Sequence, residues 1–578
     1  MKNLNKISVL LILLLGLTFT SCETTDLDLI NDPNQITVEN GDLERYMVSI
    51  QVDFARFANT MGNNGARLVR IEQMGATNYV NAFEPVFTNY EWGLAYVNMF
   101  SDMQNAIVLA EEKGERGNHI AVMNILKAYV LITLVDYFGD IPLTEANNLA
   151  DFPQPSVDSG SSVYVAAIAL LDDSISRLGL LGNLDIANDF YYNNNFDQWV
   201  KLANTLKMQA YVNTNNVSAF NTLANGGNYI SDTADDFVWQ YDVVINDEID
   251  ARAPGYQSDY TAGGVTRYRS DWLMNKMLRD NDPRRRYYFF RQNDCTPGAL
   301  KDFTLPADHV FEDGTLNQCA VDPERLFCST QPRPANYPGA SVMVFCSVDN
   351  GYWGRDHGFG GGIPPDTFKR TGGGVYPIAG NFDDNRFSSV GIGQGGGGAG
   401  IAPIYLASWS HLMLAEMALA GSGDAASHLR NAMGISIAKV MSFGSKDGDA
   451  DLSTTDDGGY VPTDETVDQY INLKIEQFFL GNNEDKMNIL GEQHLIAHYG
   501  NGSNSYNFYR RTGYPHTLQW TVEPAPGGFI RSFFYPADEA NTNPNIPQKP
   551  DVGVQVFWDN NPASSAAGPG STGFPIAN

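Results

Sequence analysis

The sequence predicts a mainly α-helical body interrupted by one large, loop-rich insertion stapled by disulfides. Apolar residues recur at helical spacing from about 42 to 135, across 196–212 and again from 404 to 499. Between about 225 and 400 that periodicity fades into Gly, Pro, Asn and Asp with scattered aromatics, and four cysteines fall inside this stretch. At 578 residues, 43% hydrophobic and 18% charged, the chain can bury a sizeable core and has the composition of a globular protein rather than a disordered or fibrous one.

At the N-terminus, Lys2 and Lys6 precede "ISVLLILLLGL", a run too short for a comfortable bilayer span, which predicts a signal peptide over residues 1–21. The run ends at Phe19-Thr20-Ser21-Cys22, which resembles a bacterial lipobox with Phe in the usual Leu position. Cys22 would then be the first mature residue, carrying palmitate-type acyl chains on its sulfur and amine, and several chains hold a membrane far more firmly than one. An ordinary signal peptide with an incidental cysteine is the alternative. Residues 22–40 are polar with an Asp-Pro-Asn turn and predict a tether, leaving 41–578 as a single body.

Within that body, "HIAVMNILKAYVLITLVDYF" sets Ile120, Met123, Leu126, Val130 and Leu134 three to four residues apart, as in a helix with one face on a core, and "FGDIP" terminates it. "FDQWVKLANTLKMQAYV" likewise places Phe196, Trp199, Leu202, Ala203, Leu206 and Ala210 on one side. After the insertion, helical spacing returns in "IYLASWSHLMLAEMALAG", in 466–480 and in 485–499, and the last eighty residues lose it. No sharp linker separates independent domains.

In the insertion, Cys295, Cys319, Cys328 and Cys346 form an even set that an exported chain would oxidise to two disulfides. Three connectivities are open, with sequential pairing, Cys295–Cys319 and Cys328–Cys346, slightly favoured because each closes a short loop. A zinc site is the rival, disfavoured by the long spacings. "DNGYWGRDHGFGGGIPPD" concentrates Tyr352, Trp353, Arg355, Asp356 and His357 among glycines and prolines. Flat aromatics stack on sugar faces or peptide side chains, so these five, with Trp239 and Tyr256, are the candidate ligand-binding residues. The competing reading is a structural plug, a buried Trp beside an Arg–Asp pair that holds a long loop in place.

Other motifs carry less. "GIGQGGGGAG" contains a formal G-x-G-x-x-G at Gly391, Gly393 and Gly396, but no apolar strand leads into it and Glu416 falls in a helix, so a flexible or tightly turned loop is expected. "HLIAH" sets His494 and His498 one helical turn apart without the catalytic Glu of a zinc protease, which reads as two helix-surface histidines. "DGDADLSTTDD" offers Asp447, Asp449 and Asp451 at alternate positions but lacks the Gly and Glu of an EF-hand. It is expected to be a solvated acidic loop, with a structural calcium site as the alternative; no other cofactor is implied. A net charge of −30 excludes nucleic acid and anionic headgroups as general partners. No nucleophile-elbow, Walker or papain-like motif appears, and the reading is that the chain is not an enzyme. A surface glycan hydrolase is the lesser alternative, since the separation of two carboxylates is set by the fold.

Taken in order, six stretches resemble the SusD/RagB family of outer-membrane lipoproteins, and its subgroup with an "RRTGYP" signature. They are Cys22 followed by "NDPN", "DYFGDIPLTEA" at 136–146, "FDQWVKLANTLKMQAYV" at 196–212, "HLMLAEMALAG" at 411–421, "GEQHLIAHYGNGSNSYNFYRRTGYP" at 491–515 and "IRSFFYPADEANTN" at 530–543. His494, where the family often has lysine, and the glycine run at 391–400 depart from its pattern. The resemblance implies tetratricopeptide-like helix pairs, with the insertion at about 225–400 carrying the ligand surface. It implies a surface-exposed, lipid-anchored protein of the cell outer membrane that acts as the hinged lid of a SusC-like TonB-dependent β-barrel. In that role it captures an oligosaccharide or peptide nutrient and breaks no bond. The same lid serving a barrel machine that handles proteins is the alternative function. Arg510 and Arg511 are expected to be structural.

Overall fold

The computed structural model describes residues 41–75, 78–246, 249–293, 351–359, 367–421, 423–519, 521–523, 525–562 and 575. Cys22 with the signal and tether, and Cys295, Cys319, Cys328 and Cys346, lie outside the described residues.

Helix α1 (Leu43–Leu68) starts where the Asp42 side chain accepts the Glu44 N–H at 3.0 Å, and buries Met47, Ile50, Phe54, Phe57, Ala58 and Met61 along one stripe. A π-helical turn at Gly93–Met99 leads into α2 (Phe100–Lys113). Helix α3 (Gly117–Phe138) lies at the centre. Every residue except Gly117 and Lys127 is buried, so the expected one-sided face is replaced by contact all round. By length and composition α3 could cross a membrane, but here protein encloses it.

α4 (Gly160–Arg177) runs antiparallel to α3: the Ser174 hydroxyl near its end donates to Ala121 O at 3.0 Å, while Gly160 at its start lies against Val135. α5 (Phe196–Asn213) and α6 (Val217–Gly226) continue the series, each packed on the helix before it. α5 buries Trp199, Leu202, Ala203, Leu206 and Ala210 as its spacing predicts, with Phe196 half-buried.

The insertion is gated by a two-stranded ladder. β1 (Phe237–Gln240) pairs antiparallel with β4 (Ile401–Tyr405), Trp239 opposite Ala402, so the chain leaves and re-enters the body at adjacent points. Between them lie α7 (Asp271–Arg279) and a second short ladder, β2 (Phe289–Phe290) with β3 (Gly372–Gly373). A small apolar cluster around Tyr256, Tyr260, Val265 and Phe290 is separate from the main core.

So little regular structure leaves polar groups to be satisfied by side chains, and buried arginine–carboxylate pairs do this. Arg284 and Asp282, both fully enclosed, meet at 2.6 Å. Arg284 also donates to Ser436 and Gln493, each at 2.9 Å, tying the loop to two helices of the body. Arg291 clamps Asp383, Arg386 bridges Asp384 and Asp447, and Arg269 pairs with Asp259. The glycine run is the tightly turned loop of the two expectations: a Cβ on Gly395 would fall 2.3 Å from the Gly380 carbonyl carbon.

Beyond β4, α8 (Ala407–Ala420) and α9 (Ala425–Met441) form a second antiparallel pair, with the His411 ring opposite His428. α10 (Asp464–Leu480) and α11 (Asn483–Ala497) follow, the latter opened by a reciprocal Asn482–Asp485 cap. α12 (Ser503–Thr512) returns to pack on α1 and closes the body.

That closure runs through Asp136 at the end of α3. Its carboxylate accepts from the Tyr164 hydroxyl, from Asn507 Nδ2 at 2.7 Å and from Trp558 Nε1 at 2.9 Å, joining α3, α4, α12 and the C-terminal segment. Arg510 extends the network, donating to Asn507 Oδ1 and Arg531 O, each at 2.6 Å, and Arg531 pairs with buried Asp559. Arg511 pairs with Glu416 on α8, so both arginines of "RRTGYP" make internal contacts. Asp136→Ala would strand three buried donors, and an unfolding-free-energy loss of about 3 kcal/mol is expected. Urea denaturation checks it; a loss under about 1 kcal/mol would show that the network does not depend on this carboxylate.

Candidate functional site

A polar cleft of about 340 Å³ lies where α1 meets the insertion. Asn59, Thr60, Asn63 and Asn64 line one wall. Their i, i+4 relation sets them on one helical face, all half-buried, where amides and a hydroxyl offer both donors and acceptors. Tyr241, just past β1, faces them together with Ala253, Pro254, Gly255 and Ser258; Pro377, Ile378 and Tyr499 complete the enclosure.

Charge in the cleft is of both signs. Arg269 is buried and held by Asp259 and by Glu72, whose two oxygens lie at 3.2 and 3.3 Å. Arg267 stands 3.6 Å from Asp259 with its side chain 38% exposed. Glu91 is only 6% exposed; Asn64 Nδ2 approaches one of its oxygens at 3.4 Å, and the other has no hydrogen-bond partner. Burial therefore pushes the Glu91 carboxyl above the usual range. Three carboxylates, Asp259, Glu72 and Glu91, stand against the guanidiniums of Arg267 and Arg269, which leaves no positive surplus to draw an anion, so the cleft suits an uncharged ligand rich in hydroxyls.

The sequence-predicted residues sit elsewhere. Tyr352, Trp353, Arg355, Asp356, His357 and Tyr256 are all buried. Arg355 lies over the Tyr268 ring at 3.9 Å and donates to its hydroxyl, Asp356 accepts from Gln519, and His357 Nε2 is 3.1 Å from the Tyr79 hydroxyl. Tyr256 stacks on Tyr260 at 4.3 Å and donates to Gln394 O beneath the glycine loop. In the WGRDH loop these side chains are engaged with the protein's own groups. Trp239 alone of the seven is half-buried, against Phe190 and Tyr191, two residues from Tyr241 in the cleft wall. The cleft's own amides were missed, although four polar residues sharing a face in the apolar α1 sequence were a signal.

The acidic run at 447–451 and the histidine pair at 494 and 498 each have defined surroundings. Asp447, Asp449 and Asp451 do not converge: Asp447 accepts from Arg386 and from the Phe382 N–H, each at 2.8 Å, while Asp451 accepts locally from Ser453 N. Among the described residues no set of three His, Cys, Asp or Glu groups could hold a metal. His494 and His498 are buried rather than on a helix surface. They stack at 4.1 Å in a column running from Trp409 through both imidazoles to Phe508. His498 Nδ1 donates to His494 O at 2.7 Å.

With this geometry in place, comparison with known proteins assigns the fold. Residues 38–302 match the SusD-like family model described as "Starch-binding associating with outer membrane". The chain has a SusD-like fold. Among solved structures, a chitin-binding protein superposes with a TM-score of 0.60 at 18% identity, covering 90% of this chain and 100% of its own. A SusD/RagB family protein from Bacteroides thetaiotaomicron gives 0.58 at 18%, covering 90% and 98%. A chitin-binding SusD homologue from Flavobacterium johnsoniae gives 0.58 at 15%, covering 90% and 99%. At such identities the shared property is the fold. No curated protein matches the sequence at a significant level.

The histidine column of this SusD-like body is neutral. Burial holds His498 down at about 3 and pushes His494 well below its usual value, with the His498 and Arg511 charges adding to the latter. The unfolded chain therefore takes up protons that the folded one refuses. The stability His498 contributes is complete above about pH 6.5 and is lost as pH falls toward 3. From pH 7.5 to 5 this group alone is expected to cost about 2 kcal/mol, and His498→Phe should flatten the pH dependence by that amount. Unfolding titrations at the two pH values test it; an unchanged slope in the variant would reject the neutral column.

Proposed function

We propose that the protein is a surface glycan-binding lipoprotein, anchored through Cys22, that serves as the lid of a SusC-like TonB-dependent β-barrel and delivers an oligosaccharide to it. The observation that carries this reading is the cleft: a row of asparagine amides facing Tyr241, with its two guanidiniums already engaged by carboxylates of the protein. Amides donate to and accept from vicinal hydroxyls, carboxylates accept from them, and a tyrosine ring supplies a flat surface for a sugar face. The starch-binding description of the family and the chitin-binding names of two structural neighbours favour a sugar over a peptide. The family is described by binding, and the reading needs no catalytic step. Trp239, half-buried on β1 two residues before Tyr241, is a further ligand contact in this reading.

Calorimetric titration with starch- and chitin-derived oligosaccharides tests the binding half of this reading. Asn63→Ala with Tyr241→Ala is expected to weaken binding about tenfold or more at an unchanged thermal midpoint, as loss of placed polar contacts does. Unaltered affinity in that variant would dismiss the cleft. Purification from detergent-solubilised membranes at low salt tests the lid, and a large β-barrel is expected to co-purify. Its absence would remove the transport role, while a barrel partner combined with no oligosaccharide binding would favour the protein-handling alternative.

A further inference from the structure

A second cavity, of about 440 Å³, opens on the insertion away from the asparagine cleft and shares none of its lining. It is built by "DPRRRYYFFRQ" at 282–292. Arg284 of the arginine triplet turns into the body, whereas Arg285 and Arg286, on a short helix, and Arg291, just after β2, line the cavity.

Counting donors against acceptors leaves this place short of negative charge. Asp383 accepts from Arg291 Nε at 2.6 Å and Nη2 at 3.0 Å, and stands 3.6 Å from Arg286. Asn385 Oδ1 accepts from Arg286 at 2.9 Å and also from Arg291. Arg285 makes one hydrogen bond, from Nη1 to Leu278 O, at the limiting length of 3.5 Å; its Nε is enclosed without a partner, and among the described residues no carboxylate pairs with it. Among the described residues three guanidiniums thus face one carboxylate, in a chain whose net charge is −30, and Arg285 is the one of the three that makes no ion pair there. Burial pushes Arg286 below its ordinary value, with Asp383 opposing and the charges of Arg291 and Arg285 adding.

The rest of the lining is flat and apolar. The Arg291 and Arg285 guanidiniums lie over the Tyr352 ring at 5.0 and 5.9 Å, and Phe387 and Leu278 complete the wall. Attraction to a ring face leaves the in-plane N–H edge of Arg285 available, and a planar fork of that kind matches an oxyanion. The volume exceeds what a bare sulfate fills and leaves room for a ring beside the aromatic wall.

We infer that this cavity is an oxyanion-binding site that takes the carboxylate or sulfate group of an acidic saccharide, with Arg285 as its principal donor and Tyr352 as its floor. It is independent of the asparagine cleft and stands whether or not the cleft binds neutral sugar.

The test is calorimetric titration of the full chain at low salt with inorganic sulfate, glucuronate and, as the neutral control, glucose. Both anions are expected to bind in about the millimolar range, glucuronate the more tightly, and in the Tyr241→Ala variant, which removes the cleft's own sugar contact, glucose is expected to give no heat. Arg285→Gln should weaken both about tenfold or more, Arg285→Lys should weaken them less because charge remains without the fork, and Tyr241→Ala should leave them unchanged. Arg286→Gln serves as the second variant if the first fails to fold, with the same weakening expected. Sulfate binding without glucuronate binding would uphold an oxyanion site and overturn its assignment to a saccharide. Absence of binding by either anion at about 10 mM, or affinity unchanged in Arg285→Gln and Arg286→Gln, would overturn the site itself.

Discussion

The Asp136 carboxylate is the point on which the body's closure depends. A charge in that position cannot be left bare, because desolvating it costs several kcal/mol unless donors surround it. The donors come from chain segments far apart in sequence: Tyr164 on α4, Asn507 on α12 and Trp558 near the C-terminus. Satisfying one buried group therefore brings the first helical series, the last helix and the irregular C-terminal segment into one arrangement. Arg510 then repeats the logic one layer out, its guanidinium covered by Tyr506 and Trp558 at 3.8 and 4.6 Å and its N–H groups directed to Asn507 and Arg531. Three of the sequence stretches that carry the family resemblance meet here, which explains why they signal scaffold rather than ligand.

The insertion obeys the same constraint with less regular structure. Where backbone ladders are two to five residues long, fully or nearly enclosed ion pairs such as Asp282–Arg284 and Asp383–Arg291 take over the work of fixing the loops. Such pairs contribute modest net stability but penalise alternative arrangements heavily, since separating the partners leaves a buried charge. One side effect is an uneven distribution of positive charge, with Arg285 left over once Arg284 and Arg286 have found partners.

How much of this was legible in sequence depends on which residues face inward. Helices with one apolar stripe, such as 196–213, declare themselves through spacing. α3 does not, because burial on every side removes the contrast between faces, and its existence and end were readable but its central position was not. His494 and His498 were placed on a surface because an isolated polar pair at i, i+4 usually sits there; stacking between Trp409 and Phe508 is a tertiary fact without local signature. Tyr352 and Trp353 stand in a Gly- and Pro-rich loop, where an aromatic can serve either to stack on a ligand or to fill the interior of a weakly structured insertion, and local sequence does not separate the two. Conversely, Asn59, Asn63 and Asn64 look like ordinary helix-surface amides. Only the docking of the insertion at the β1–β4 neck turns their solvent face into a cleft wall.

That docking also accounts for the cleft's chemistry. One wall is a helix whose side-chain positions are fixed by core packing of the opposite face, and the other is a loop system fixed by ion pairs, so neither must order itself when a ligand arrives. Preorganised polar groups forfeit little rotational entropy on binding, which favours weak, hydroxyl-rich ligands that offer no large apolar surface to offset such a cost. Glu91 fits this pattern: its second oxygen is held away from water and without a partner, so a ligand hydroxyl that reaches it replaces an unmade hydrogen bond rather than a hydrated one. A site of this kind gains selectivity from the geometry of its donors and acceptors more than from buried area, and the β1–β4 neck, by holding Tyr241 opposite α1, sets that geometry.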